Sequence, residues 1–316
     1  MVQMQECPSA KVAIVGAGFV GSTIAYSLML GGDVSEIALI DVKKNKAEGE
    51  LLDLKHCMQF TRSVSMFAGD DFALVKDAAV VIIAAGIAQK PGQTRSDLLK
   101  TNLDVFKKIV PEIVRYNKDC IILVVSNPLD VLTYITWRIS HFPPCRIFGT
   151  GTVLDTARLR YLMGQYFQIS PKDITAYILG EHGDSEFLWM SGANVAGVPL
   201  DRLHGYDPAL IDTIYQQTKN SVYEIIEKKG ATYYAIALVV AKIVRAILLD
   251  QSRVFTVSTI IDNVYGVHDV CLSVPVVVRR SGTCEHLALA LNEQEQRLFV
   301  TSAQKVKKDI DLALAQ

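Results

Sequence analysis

The chain has 316 residues, half of them hydrophobic, with 32 Lys+Arg against 33 Asp+Glu and a formal net charge of −1 at pH 7. That length exceeds what one hydrophobic core usually organises, so one large or two modest domains are expected. The near-cancelling charges give no electrostatic footprint for nucleic acid or for a membrane surface. Residues 1–10 carry Glu6 and lack the apolar core of a secretory leader. The most apolar run, residues 80–88, is too short to cross a bilayer and contains Gly86, so a cytoplasmic location is expected. Cys7, Cys57, Cys120, Cys145, Cys271 and Cys284 are scattered, with no Cys-x-x-Cys pair and no Cys/His cluster at ligand spacing. Reduced thiols and no metal are expected.

In chain order, Lys11–Val15 is an apolar run entering Gly16-Ala17-Gly18-Phe19-Val20-Gly21. Residues 22–30 read as a helix stopped by Gly31-Gly32, and residues 37–40 as a second strand ending at Asp41. Residues 80–85 and 121–125 read as the third and fourth buried strands, alternating with amphipathic helices over 46–56 and 97–116. Continuous apolar runs separated by such helices predict a parallel sheet covered on both faces. Beyond about residue 150, helices over 154–167, 210–229 and 232–250 dominate, with β-like runs at 256–261 and 271–278. Asn292 and Glu295 have capping-box spacing and open a final helix. The expected class is α/β: a Rossmann-type doubly wound sheet over 1–149, then a mixed α+β catalytic domain over 150–316. No repeat or linker separates the halves, so they should pack closely.

A lone G-x-G-x-x-G is weak evidence, but here it follows a strand and opens a helix. Gly16 permits the tight turn, Gly18 lets backbone approach a pyrophosphate, and Gly21 allows helix and strand to pack closely. Asp41, twenty residues beyond Gly21, has the position of a carboxylate that accepts from ribose hydroxyls and repels a 2′-phosphate, favouring NAD over NADP. The Gly- and Pro-bearing loop from Gly86 to Arg95 follows the third buried strand and suits a segment that closes on substrate. Ser126-Asn127-Pro128 ends the next strand and reads equally as an amide at the ligand crevice or as a simple turn. Asp155 and Arg158 share a face if their segment is helical. His182, in Gly180-Glu181-His182-Gly183-Asp184-Ser185, is the best candidate for moving a proton near neutrality. Tyr215 and Lys219 have the spacing of a Tyr/Lys dyad but lie far from the cofactor strands and read as a chance surface pair. The remaining histidines read as structural.

Gly16 to Gly21, Asp41, the loop Gln89-Lys90-Pro91-Gly92-Gln93-Thr94-Arg95, Ser126-Asn127-Pro128, Asp155 to Arg158, Gly180 to Asp184 and Lys229-Gly230-Ala231-Thr232 occur in one order. In that order the chain resembles the lactate/malate dehydrogenase family over almost its whole length, its bacterial L-lactate branch above all. The resemblance implies that His182 is the proton donor and acceptor, with Asp155 fixing its tautomer. Arg158 would take the substrate carboxylate as a bidentate pair. Arg95 would polarise the ketone oxygen, Asn127 would bond near it, and Thr232 would line the pocket. Gly16, Gly18, Phe19, Val20, Gly21, Asp41, Lys46, Ala85, Gly86, Asn102, Ser126, Asn127 and Thr150 would hold NAD. A homotetramer and a place in glycolysis and fermentation are likewise implied. Arg160 matches an arginine that holds fructose 1,6-bisphosphate in activated relatives, but Thr175 stands where a histidine aligns, so strong activation is not expected.

Gln89 occupies the position that discriminates substrates in the family: Gln accompanies the methyl group of pyruvate, Arg a second carboxylate. An arginine closed over a methyl group would be an unpaired buried charge. Pyruvate/lactate is therefore expected, with malate or a bulkier 2-hydroxy acid as the enzymatic rival. A non-catalytic dinucleotide-binding protein is the rival of another class. Gln89→Arg is expected to shift kcat/KM strongly towards oxaloacetate; steady-state assays on both keto acids check this, and an unchanged ratio refutes it.

Overall fold

A computed structural model describes residues 10–87 and 95–315, apart from the side chains of residues 95–97 and 284. The first half begins with β1 (Lys11–Val15), α1 (Phe19–Gly31), β2 (Glu36–Ile40), α2 (Lys44–His56) and β3 (Ser65–Gly69). It continues through β4 (Val80–Ile83), α3 (Arg95–Tyr116), β5 (Ile121–Val124), α4 (Leu129–Ser140) and β6 (Ile147–Gly149). These six strands are all parallel, in the order 3-2-1-4-5-6. The order reverses between β1 and β4, and ligands of such sheets bind in the crevice beyond the strand ends at that point. β4 and β5 are buried at every position, as strands covered on both faces must be.

The second half contains α5 (Val153–Phe167), then five two-residue strands: β7 (Ile174–Thr175), β8 (Ile178–Leu179), β9 (Phe187–Leu188), β10 (Asn194–Val195) and β11 (Val198–Pro199). After them come α6 (Pro208–Lys229), α7 (Tyr234–Leu248), β12 (Arg253–Val264), β13 (Val267–Arg279), β14 (Gly282–His286) and α8 (Glu293–Leu314). The antiparallel strands β12 to β14 extend the same sheet, because β12 lies beside β6 with Ser258 opposite Gly149. One buried cluster includes Ile24 and Leu28 of α1 together with Val240 and Ile243 of α7, so the two halves share a core.

In the parallel half, three described elements escape the apolar pattern. β3 alternates exposed and buried residues at the sheet edge, which makes residues 80–83 the fourth strand rather than the third. β6 has only three residues. α4, Leu-Asp-Val-Leu-Thr-Tyr-Ile-Thr-Trp-Arg-Ile-Ser, is rich in β-branched and aromatic residues and is buried around most of its circumference, so it shows no polar face to reveal helical periodicity. The long β12–β13 hairpin also runs past the expected bounds into its exposed polar ends. The capping box of Asn292 and Glu295 forms as expected.

The glycine turn is fixed by contact rather than by flexibility. A Cβ at Gly21 would lie 1.8 Å from the Gly16 carbonyl oxygen, whereas one at Gly18 would meet nothing within 4 Å. Gly21→Ala is expected to cost about 1–3 kcal/mol or more through overpacking, and Gly18→Ala to leave stability unchanged. Urea midpoints of the two variants check the contrast; equal midpoints would contradict it.

Candidate active site

The glycine turn prepares an anion site. α1 starts after Gly18 with no side-chain cap and no acid in its first turn, so its first N–H groups are satisfied by nothing on the helix itself. Asp41, at the end of β2, accepts from the Ala17 N–H and the Lys43 N–H, both at 2.8 Å. The carboxylate thus stands beside the turn and retains lone pairs for a ribose. Phe19 is exposed and stacks on Tyr233, Val20 is half-buried beside it, and Lys46 lies exposed on α2. These groups suit a dinucleotide lying over the strand ends, with its phosphates at α1.

The neighbouring loops are tied to each other. Ser126 Oγ donates to the Ala85 carbonyl at 2.6 Å. The buried Asn102 accepts from the Ile87 N–H at 2.8 Å and donates to the Asn127 carbonyl at 2.7 Å, so its amide acts as a tether next to Gly86. The Thr150 N–H, just beyond β6, donates to the Val124 carbonyl at 3.0 Å.

His182 reaches the same region from a loop anchored on two elements. Gly180, at φ +92°, pairs with Ser273 of β13 through two backbone bonds. A side chain there would meet Ser302 of α8. Glu181 accepts from Lys305 of α8 at 2.6 Å and from Ser185 Oγ at 2.5 Å. Tyr215 and Lys219 of α6 are no chance surface pair: both are half-buried and donate to the carbonyls of Glu186 (2.5 Å) and Asp184 (2.8 Å). They brace the far side of the His182 loop.

His182 Nδ1 lies 2.6 Å from Asp155 Oδ2, and Arg158 Nη1 donates to Asp155 Oδ1 at 2.9 Å. The side chains of Asp155 and Arg158 are only 6% and 13% exposed, which removes the reading of a solvated surface ion pair. Both sit on the first turns of α5, where a spacing of three residues puts them on one face. A guanidinium has five N–H donors, so the bond to Asp155 leaves a fork edge for an anion. A cavity of about 340 Å³ is lined by Asn127, Asp155, Arg158, His182, Glu186 and Lys219 among others. Thr232, half-buried between α6 and α7, is not part of that lining. Gln89 falls outside the described residues. Arg95 opens α3, but its side chain also lies outside them. A second cleft of about 580 Å³ between β13 and α8 is lined by Lys307, paired with Asp269 and Asp311, by His268, paired with Asp262, and by the exposed Lys308.

Two carboxyl groups near His182 are not evident from motif spacing. Asp130, in the first turn of α4, accepts from the His182 N–H at 2.7 Å and from Ser258 Oγ at 2.6 Å. Burial pushes its pKa up to about 6 despite these bonds. The buried Glu186 lies four residues past His182, a spacing without meaning until the loop folds back on itself. For His182, burial pulls the pKa down, but the charge and hydrogen bond of Asp155, with Glu186 and Asp130, more than reverse this and raise it to about 9. Burial opposes the charge on Asp155 too, yet His182 and Arg158 prevail and hold its pKa below the usual carboxylate range. At neutral pH the result is an imidazolium with Nδ1 engaged and Nε2 left for a ligand. Asp155, His182 and Glu186 place possible ligand atoms within 4.8 Å of one another, the one such group among the described residues. Both Asp155 oxygens are already engaged there, and a guanidinium stands beside them, a poor setting for a cation.

Residues 10–149 match the lactate/malate dehydrogenase NAD binding domain, and residues 152–316 the lactate/malate dehydrogenase alpha/beta C-terminal domain. An L-lactate dehydrogenase of Acetivibrio thermocellus is 49% identical over 308 residues, 95% of this chain and 96% of that one. A lactate dehydrogenase from a Medee basin deep-sea metagenome library superposes with a TM-score of 0.93 at 41% identity, covering 97% and 99% of the two chains. The minor L-lactate dehydrogenase of Enterococcus mundtii has the same score and identity over 96% and 98%. With both domain types matched in order around a shared sheet, the chain belongs to the lactate/malate dehydrogenase family and takes NAD as its cofactor.

Proposed function

We infer that the chain is an NAD-dependent L-lactate dehydrogenase, interconverting pyruvate and L-lactate. The observation that carries this reading is the His182–Asp155–Arg158 row around a buried Asp155: a held proton next to an anion-binding fork, in a cavity of small-substrate size. The relatives' names support lactate over malate, and Gln89 agrees with them.

Arg158 binds the substrate carboxylate and sets its distance from His182. Asp155 holds Nδ1–H, so the second proton of the imidazolium sits on Nε2 and points at the substrate oxygen. When bound, NADH supplies the hydride at the keto carbon. His182 Nε2 gives its proton to the developing alkoxide, and Asp155 stabilises the charged and neutral imidazole in one orientation. Asn127 bonds near that oxygen. Arg95 adds positive charge to it, and Gln89 meets the methyl group. In lactate oxidation the neutral imidazole takes the proton back. Gly16 to Gly21, Asp41, Lys46, Ala85, Gly86, Asn102, Ser126 and Thr150 hold NAD, Asn102 through the loops it ties together. Thr232 borders the pocket.

The reading divides the chain at residues 149/150, places it in the cytoplasm and assembles it as a homotetramer. No described helix is long and apolar enough to cross a membrane. Arg160 already donates to the Ala176 carbonyl at 2.9 Å and lies over Tyr177, next to Thr175. With Thr175 rather than a histidine beside it, this arrangement supports weak activation by a bisphosphate.

NADH oxidation assayed with pyruvate, oxaloacetate and 2-oxoisocaproate tests the substrate. Pyruvate should give the highest kcat/KM, and a preference for either rival overturns the assignment. Because the folded pKa of His182 is raised to about 9, its protonated pair with Asp155 persists through neutrality and is lost as pH rises through about 9. Reduction of pyruvate should fail over that upper window. Asp155→Asn should lower turnover about a hundredfold or more and move the alkaline limb to lower pH. A pH profile of kcat/KM checks both, and an unmoved limb refutes the role given to Asp155.

A further inference from the structure

Glu186 is a carboxyl group that the mechanism above does not use. Its residue is only 6% exposed, it lines the substrate cavity, and its carboxyl lies within 4.8 Å of ligand atoms on both Asp155 and His182. Its backbone is fixed, the N–H donating to the Gly183 carbonyl and the carbonyl accepting from Tyr215. No described residue donates a hydrogen bond to its carboxyl oxygens. The charged groups around it are Asp155 and Arg158 from α5, Lys219 from α6 and His182 from its own loop, with Asp130 of α4 behind His182. Arg158 is already bonded to Asp155, and Lys219 Nζ to the Asp184 carbonyl.

We propose that Glu186 is a positioning residue whose proton must be in place for the anionic substrate to enter beside Asp155. Two carboxylates this close do not both ionise readily, and Asp155 already holds its charge against His182 and Arg158. The substrate brings a third carboxylate to the same fork. A neutral Glu186 leaves Arg158 and the imidazolium facing one fixed anion and one incoming anion. An ionised Glu186 adds a further negative charge and opposes the incoming one. Burial, then Asp155, push the Glu186 pKa up to about 8, so the neutral form prevails at neutral pH. The site therefore carries two protons in its active form, one on His182 Nε2 and one on Glu186, and both leave in the same alkaline range as coupled steps. Turnover consumes no proton from Glu186; the one delivered to the keto oxygen comes from His182.

This inference rests on the lactate dehydrogenase reading, and the test separates the two. In the wild type, log kcat/KM for pyruvate should fall at high pH with the limiting slope of a two-proton loss. Glu186→Gln, which keeps the shape without the ionisation, should give a one-proton slope, and Glu186→Asp should restore the steeper one. Should Glu186→Gln not fold, the wild type alone still decides. Calorimetry of oxamate (an unreactive pyruvate isostere) binding to the enzyme–NADH complex, in buffers of different ionisation enthalpy, should show uptake exceeding one proton per site near pH 9. A one-proton limb or a ceiling of one proton in the wild type, or a two-proton limb persisting in Glu186→Gln, overturns the proposal. Absence of any pyruvate turnover would overturn the reading beneath it, and this inference with it.

Discussion

The bond of 2.6 Å between His182 Nδ1 and Asp155 Oδ2 joins residues 27 apart in the chain, and most of the second half serves to hold it. Asp155 is placed by the first turn of α5, which starts directly after β6, the last parallel strand. His182 is placed by a loop paired to β13, pinned to α8 through Glu181 and braced by α6. Asp130 at the start of α4 fixes its backbone N–H. Five elements thus converge on one imidazole. The cost of burying an ion pair is met here by further hydrogen bonds to nearly every polar atom of the pair.

The same convergence explains why three carboxyl groups near one histidine behave differently. Asp155 has two cationic partners and stays ionised. Asp130 has only a hydroxyl and a backbone N–H, so burial dominates and its pKa rises. Glu186 has burial and a neighbouring anion against it. Residue type is nearly constant across the three, and environment alone divides a permanent charge, a structural acceptor and a neutral acid. The continuous sheet contributes by seating β12 against β6, which puts Ser258 against Asp130, the residue that holds the His182 N–H.

Motifs that work through local geometry are legible in the amino-acid order alone. Gly16, Gly18 and Gly21 act within one turn, Asp41 at the next strand end, and Asp155 with Arg158 on one helical face. The apolar runs of β1, β2, β4 and β5 are equally plain, because strands buried on both faces are uniformly hydrophobic. Elements lacking such a signature stay hidden: β3 as a short alternating edge, β6 for its length, and α4 for its β-branched composition and nearly complete burial. Tyr215 and Lys219 look like a surface pair for a related reason. Their partners are backbone carbonyls some 30 residues away, and no side-chain pattern encodes those.

Residue identity and short spacing suffice to specify the reaction and its cofactor, since a glycine turn, a strand-end acid and a His/Asp/Arg set in family order are all written in one dimension. Which acids attend His182, and in what protonation state, is settled only by packing. Asp130 lies 52 residues away and Glu186 four, yet both act through distance in space and loss of water. Those two quantities arise only when α4, α5, α6 and the loop come together, and linear spacing carries no record of them.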